Sequence, residues 1–106
     1  MIRPVRRGSG LGIVEIVSPK RREMGDALRA RKARNPRVFG SVARNSATTG
    51  SDIDLLVDFD DGASAFDQMG LIADLEQIFK RRVEVAEPSG LHWLVRPQVL
   101  FEAVPV

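Results

Sequence analysis

The sequence predicts a small α/β domain in which helix, strand, loop, strand, helix, strand and helix follow one another. Three observations carry this reading. Apolar residues recur at helical spacing over residues 18–34 and again over 64–80. Two short strand-like runs lie between those stretches, and an alternating run over 82–86 follows the second. Turn residues punctuate the joins, with Asn35-Pro36 after the first helix and Asp60 to Gly62 after the aliphatic strand.

Each element has a local cause. The stretch LGIVEIV, residues 11–17, has the composition of a short strand. From Ser18 or Pro19 to about Arg34, Met24, Ala27, Leu28 and Arg31 share one helical face among charged residues. Asn35-Pro36 should stop that helix, and Arg37 to Phe39 reads as a brief strand entering Gly40-Ser41. After the polar RNSATTGS loop, Ile53 to Phe59 is an aliphatic strand. Ser64 is the expected N-cap of a helix reaching about Lys80, with Phe66, Met69, Ile72 and Phe79 supplying most of its apolar face. Ser89 is expected to cap a last helical region, which Pro97 breaks or restarts near Arg96.

At 106 residues the chain fits one domain with a modest core. The absence of cysteine rules out disulfides and thiolate metal sites. Up to residue 44 there are 12 Lys or Arg against 3 Asp or Glu, and from residue 45 onward 4 against 11, so a net charge of +2 hides a strong asymmetry. A basic half can neutralise nucleic-acid phosphates, but no aromatic residue is interleaved before Phe39, and a solvated basic surface is the favoured reading. The N-terminus imitates a signal peptide only loosely, because Glu15 interrupts its apolar stretch and SPKRR is no small-residue cleavage site. No apolar run approaches the ~20 residues of a membrane span. A cytoplasmic location is expected. The Gly-rich RRGSGLG lacks the Gly-Lys-Ser/Thr ending of a phosphate loop and reads as a turn.

The chemistry lies between Phe39 and Phe59. A Gly-Ser pair, Gly40-Ser41, is followed after ten residues by Asp52-Ile53-Asp54. Chance would produce this pattern in such a chain on the order of once in a thousand sequences. On a strand, Asp52 and Asp54 project to one face, roughly 6 to 7 Å apart, while Ile53 points to the core. Two such carboxylates repel each other unless a hard cation joins them, and magnesium prefers one or two carboxylates together with phosphates. Gly40 lets backbone approach a phosphate closely, the amides of Ser41 and Val42 open a short helical turn, and Arg44 can reach phosphate oxygens. Glu84, flanked by Val83 and Val85, is the candidate third carboxylate if its strand pairs with the aspartate strand. Asp58, Asp60 and Asp61 read as a solvated strand end, and His92 as a surface or packing residue. Trp93 is expected in the core or at a partner interface.

In VFGSVAR, SDIDLLVDF, RRVEVAE and the closing VLFEAVPV the chain resembles the minimal nucleotidyltransferase family of the DNA polymerase beta-like nucleotidyltransferase superfamily. The resemblance is close from Arg37 to Val106 and looser from Lys20 to Asn35. It implies a minimal nucleotidyltransferase domain over 19–106, preceded by an extension over 1–18, with a small mixed sheet flanked by helices. By the same resemblance, Gly40 and Ser41 bind the triphosphate of ATP, and Asp52, Asp54 and Glu84 hold two magnesium ions. Transfer of AMP to a hydroxyl is then the expected reaction. The implied partner is a HEPN-domain toxin bearing an acceptor tyrosine, with this chain as antitoxin. Glu84 stands where the family usually has aspartate, one methylene shorter, and Asn45 stands where glycine is usual. Two other readings stay open: a binding module that neutralises its partner by contact, and NMP transfer to a small molecule or RNA with a partner subunit.

Overall fold

The structure is a computed structural model that describes residues 8–106. The basic stretch 1–7, with the signal-like N-terminus and the start of RRGSGLG, lies outside the described residues. Its centre is a four-stranded mixed sheet in the order β3-β2-β1-β4, built from β1 (Ala33–Phe39), β2 (Ile53–Phe59), β3 (Val83–Ala86) and β4 (Val104–Pro105). Strand β1 runs antiparallel to both β2 and β4, and β2 runs parallel to β3. The helices are α1 (Ile13–Ile16), α2 (Arg21–Ala30), α3 (Gly40–Ala43), α4 (Ala65–Phe79) and α5 (Arg96–Glu102).

The sheet alternates as a half-buried strand must. Ile53, Leu55 and Val57 of β2 enter one core with Met24, Ala27 and Leu28 of α2 and Leu71 and Leu75 of α4. Asp54, Leu56 and Asp58 take the opposite parity, where the 3-10 turn Pro88–Gly90 lies against β2. Ser64 caps α4 as expected: its hydroxyl accepts from the Asp67 amide at 3.2 Å, and the Asp67 carboxylate accepts from the Ser64 amide at 2.9 Å.

Several elements differ from the sequence reading. Residues 13–16 of LGIVEIV are a helical turn, not a strand; Leu11 alone bridges to Ala47, and Ile16 and Val17 enter the core. Helix α2 ends at Ala30 rather than near Arg34, because Lys32 and Asn35 both take left-handed backbone conformations. Asn35-Pro36 therefore interrupts β1, not a helix. The register slips between Arg34 and Arg37, which makes a bulge where the missing proline N–H is not required. The buried face of α4 is Leu71 and Leu75, with Ile78 and Phe79 packed beside them. Phe66 and Met69 are instead 82% and 66% exposed, since α2 and β3 meet a neighbouring stripe of the helix. The last helix starts only at Arg96, with Pro97 in its first turn, where no intrahelical N–H is needed. Trp93 is 70% exposed and stacks on His92, outside the core. Strand β4 went unread.

The charge asymmetry of the sequence closes on itself in the fold. Arg31 pairs with Asp74 at 2.9 Å, Arg37 with Asp58 at 3.4 Å and Arg44 with Glu102 at 3.0 Å, and Arg34 pairs with Asp60. Basic residues of the front half thus meet acidic residues of the back half. Among the described residues no helix is long and apolar enough to cross a membrane.

Candidate active site

Strand register places the sequence-predicted residues in one row. Phe39 at the end of β1 is opposite Asp54 of β2, and Asp54 is opposite Glu84 of β3. The expected pairing of the glutamate strand with the aspartate strand is therefore present, and it is parallel. Val83 is buried while Glu84 is exposed, and Ile53 is 1% exposed while Asp52 and Asp54 on either side are half-buried. The core residues hold the strands down and leave the acidic ones on the accessible face.

Gly40 follows Phe39 directly and adopts φ +74°, a conformation that side chains rarely take. A Cβ built there would lie 2.1 Å from Asp54 Oδ2, so the backbone of the Gly-Ser turn touches the carboxylate itself. Only glycine satisfies both the angle and the approach. The next residues form α3, whose Val42 side chain is buried and anchors the turn to the core. Ser41 is half-buried, and its carbonyl accepts from the Ser46 amide at 2.9 Å.

The carboxyl group of Asp54 has its pKa raised to about 6. Burial is the main cause; the hydrogen-bonding approach and charge of Glu84 and the charge of Asp52 add to it, and Arg44 opposes them. Asp54 and Glu84 are thus cross-strand neighbours, with the charge of Asp52 also acting on Asp54, and none of the three forms an ion pair among the described residues. A hard divalent cation matches such an all-oxygen donor set, and would relieve its mutual repulsion. Among the described residues no three acidic or imidazole side chains are placed to hold a metal ion together, so the predicted set of Asp52, Asp54 and Glu84 is not assembled as a three-ligand site, and an ion there would need oxygens from a substrate.

Two groups that the sequence reading missed position this site. Arg81 Nη1 donates to the carbonyls of Thr48 at 3.1 Å and Ser51 at 3.0 Å, fixing the loop that delivers Asp52. Glu102, the last residue of α5, accepts from the Gly40 amide at 2.7 Å and from Arg44 Nη1 at 3.0 Å on both carboxylate oxygens. Its presence in VLFEAVPV was visible, but the contact spans 62 residues and has no periodic signature. Asn45 takes φ +62°, as its position in place of glycine suggested, and its side-chain Nδ2 donates to the carbonyls of Gly8 and Gly10. Asp58 is occupied by Arg37 and Asn35 and stays out of the carboxylate group.

Comparison with known proteins bears on the family and the fold. The family model described as a nucleotidyltransferase domain matches residues 26–106. A Methanocaldococcus jannaschii protein that carries the name protein adenylyltransferase is 41% identical over 69 residues, covering 65% of this chain and 74% of that one. Protein adenylyltransferase MntA of Thermococcus cleftensis is 38% identical over 69 residues, covering 65% of this chain and 70% of its own. A solved minimal nucleotidyltransferase structure superposes with a TM-score of 0.76 at 35% identity, over 93% of this chain and all of that one. A toxin-antitoxin structure with AMP-PNP shares the fold, with a TM-score of 0.66 at 20% identity over 79% of this chain and 69% of that one. With the carboxylate row, the Gly40 turn and the match over most of its length, the chain belongs to the nucleotidyltransferase domain family, among the minimal nucleotidyltransferases, and is a nucleotidyltransferase enzyme.

Proposed function

We propose that the chain transfers AMP from ATP to a hydroxyl of a protein partner, as the antitoxin of a toxin-antitoxin pair, and that the acceptor is a tyrosine of a HEPN-domain toxin. The observation that carries the nucleotide site is the contact of the Gly40 turn with Asp54, which brings a close-approach backbone against a carboxylate crowded by Asp52 and Glu84. The names of the two adenylyltransferase relatives support AMP as the group transferred and protein as the acceptor. The toxin-antitoxin neighbour supports the partner class.

Asp52, Asp54 and Glu84 are the residues that would hold magnesium. Bound divalent ions supply charge neutralisation for the triphosphate and favour the ionised acceptor hydroxyl. The chain's own residues do the rest. The turn at Gly40 and Ser41 presents backbone where bulkier residues would hold the phosphates away, and Arg44 offers guanidinium donors to their oxygens. The acceptor oxygen bonds to the α-phosphorus, the bond from that phosphorus to the bridging oxygen breaks, and pyrophosphate leaves while the hydroxyl proton passes to solvent. Positioning and electrostatic preorganisation supply the rate.

The test is intact-mass measurement of the partner after incubation with ATP and magnesium, using wild type and Asp54→Ala. A gain of one or more AMP units with wild type only is expected. Partner binding by both proteins with no mass gain from either would replace catalysis with neutralisation by contact.

A further inference from the structure

We propose that Glu102 is a positioning residue of the nucleotide site, acting through Arg44 and the Gly40 peptide; the proposal rests on the nucleotide reading above. An ordinary surface ion pair would carry no such role, because exposed pairs are weak. This one is different in three respects. The Glu102 side chain is only 12% exposed, whereas Arg44 is 42% exposed, so the carboxylate is the fixed member and the guanidinium the accessible one. Glu102 also accepts from a main-chain amide, that of Gly40, at 2.7 Å, so it clamps the one residue of the turn whose φ is positive. Finally, a carboxylate in the last turn of a helix faces the negative end of the backbone dipole, where cations are favoured. Glu102 breaks that local rule, and its contacts to the Gly40 amide and Arg44 at the α3 turn offer a compensating gain.

The donor arithmetic gives the role its direction. Arg44 meets both Glu102 oxygens through Nη1, which anchors that end of the guanidinium and leaves the Nη2 and Nε donors for another acceptor. The Arg44 amide also donates to the Gly40 carbonyl at 3.1 Å, so the pinned guanidinium leaves the same short turn whose backbone touches Asp54. Glu102 thereby sets the orientation in which Arg44 meets phosphate oxygens, and holds the Gly40 turn against Asp54.

The experiment measures the affinity of the full chain for a non-reacting methylene analogue of ATP with magnesium, in wild type, Glu102→Gln, Glu102→Ala, Arg44→Ala and the Arg44→Ala/Glu102→Gln double variant. Glutamine keeps an oxygen for the Gly40 amide, so this variant should fold even where alanine does not. Glu102→Gln is expected to weaken binding about tenfold, consistent with loss of a charge-assisted pair. In the Arg44→Ala background the same change should cost less than about twofold, since the two residues act as one unit. A merely structural role would lower the melting temperature without this coupling. Tighter binding by Glu102→Gln would show the carboxylate competing with phosphate and overturn the proposal, as would additive effects of the two substitutions. Absence of magnesium-dependent binding by wild type would remove the nucleotide reading itself, and this role with it; wild-type binding that Glu102→Gln leaves unchanged would remove only the role of Glu102.

Discussion

Replacing Gly40 with alanine should damage the chemistry far more than the fold. The added Cβ would fall 2.1 Å from Asp54 Oδ2 and 3.1 Å from Asp54 Cγ. Carbon and oxygen normally approach no closer than about 3.3 Å, so the carboxylate must move by roughly 1 Å. Because the obstructing atom is the end of a rotatable side chain, that movement costs little stability. The backbone term is separate: alanine at φ +74° costs about 1–2 kcal/mol. For a domain of this size that lowers the melting temperature by roughly 5–15 °C. A carboxylate displaced by about 1 Å from its productive position should cost roughly a hundredfold in transfer rate. The assay pairs a thermal melt with the rate of AMP addition to the partner, read by intact mass. Gly62→Ala is the control, since nothing lies within 4 Å of a Cβ there. A folded Gly40→Ala protein that transfers AMP at the wild-type rate would refute the assigned link between the turn and Asp54.

Asp54→Asn should stabilise the magnesium-free protein above pH 6: burial and Glu84 raise the Asp54 pKa to about 6, so its stability contribution is full below the ordinary carboxylate range and is lost as pH rises through that value. After allowance for solvent screening the gain is about 1–2 kcal/mol, measurable by urea titration in chelator at pH 5 and pH 8, and a gain equal at both would contradict the cause. Asp58 behaves oppositely, its pKa held down first by the Asn35 hydrogen bond and then by Arg37. Its contribution is present at neutral pH and lost as pH falls through the depressed value, so Asp58→Asn should cost about 0.5–1 kcal/mol at pH 7 and nothing in strong acid, as acid-unfolding curves would show. Leu75→Ala should cost about 2–5 kcal/mol in chemical denaturation, whereas Phe66→Ser, at a position 82% exposed, should stay within about 0.5 kcal/mol of wild type; the reverse order would put the helix face wrong.

The parts of the fold set by short-range chemistry were legible in the sequence. The Ser64 cap and the limits of β2 at Ile53 and Phe59 match the structure, because capping and aliphatic runs act within a few residues. The α4 face was misread because two stripes of that helix are apolar, and only tertiary packing against α2 and β3 selects Leu71 and Leu75. Asn35-Pro36 was read as a helix stop because nothing local distinguishes a stop from a bulge; the partner strands make the difference. The Gly-Ser and Asp-x-Asp spacing pointed to residues that the fold brings together at Gly40 and Asp54, and strand parity put Glu84 on their face on condition that its strand paired with β2, as it does. Arg81 and Glu102 stayed hidden, since their partners lie far away in sequence and ordinary charged residues carry no pattern that names a distant acceptor.

The contact between Glu102 and the Gly40 amide also orders events during synthesis. The two residues are 62 positions apart, so at about 5–20 residues per second the ribosome adds the glutamate roughly 3–12 seconds after the glycine. Throughout that interval the Gly40 turn lacks its clamp, and β1 lacks the strand that pairs with Arg37 and Val38. A nascent chain can therefore lay down β2, α3 and α4 before the Glu102 carboxylate reaches the Gly40 amide. Closure of the Gly40 turn thus waits on α5, and comes together with the docking of β4 beside β1.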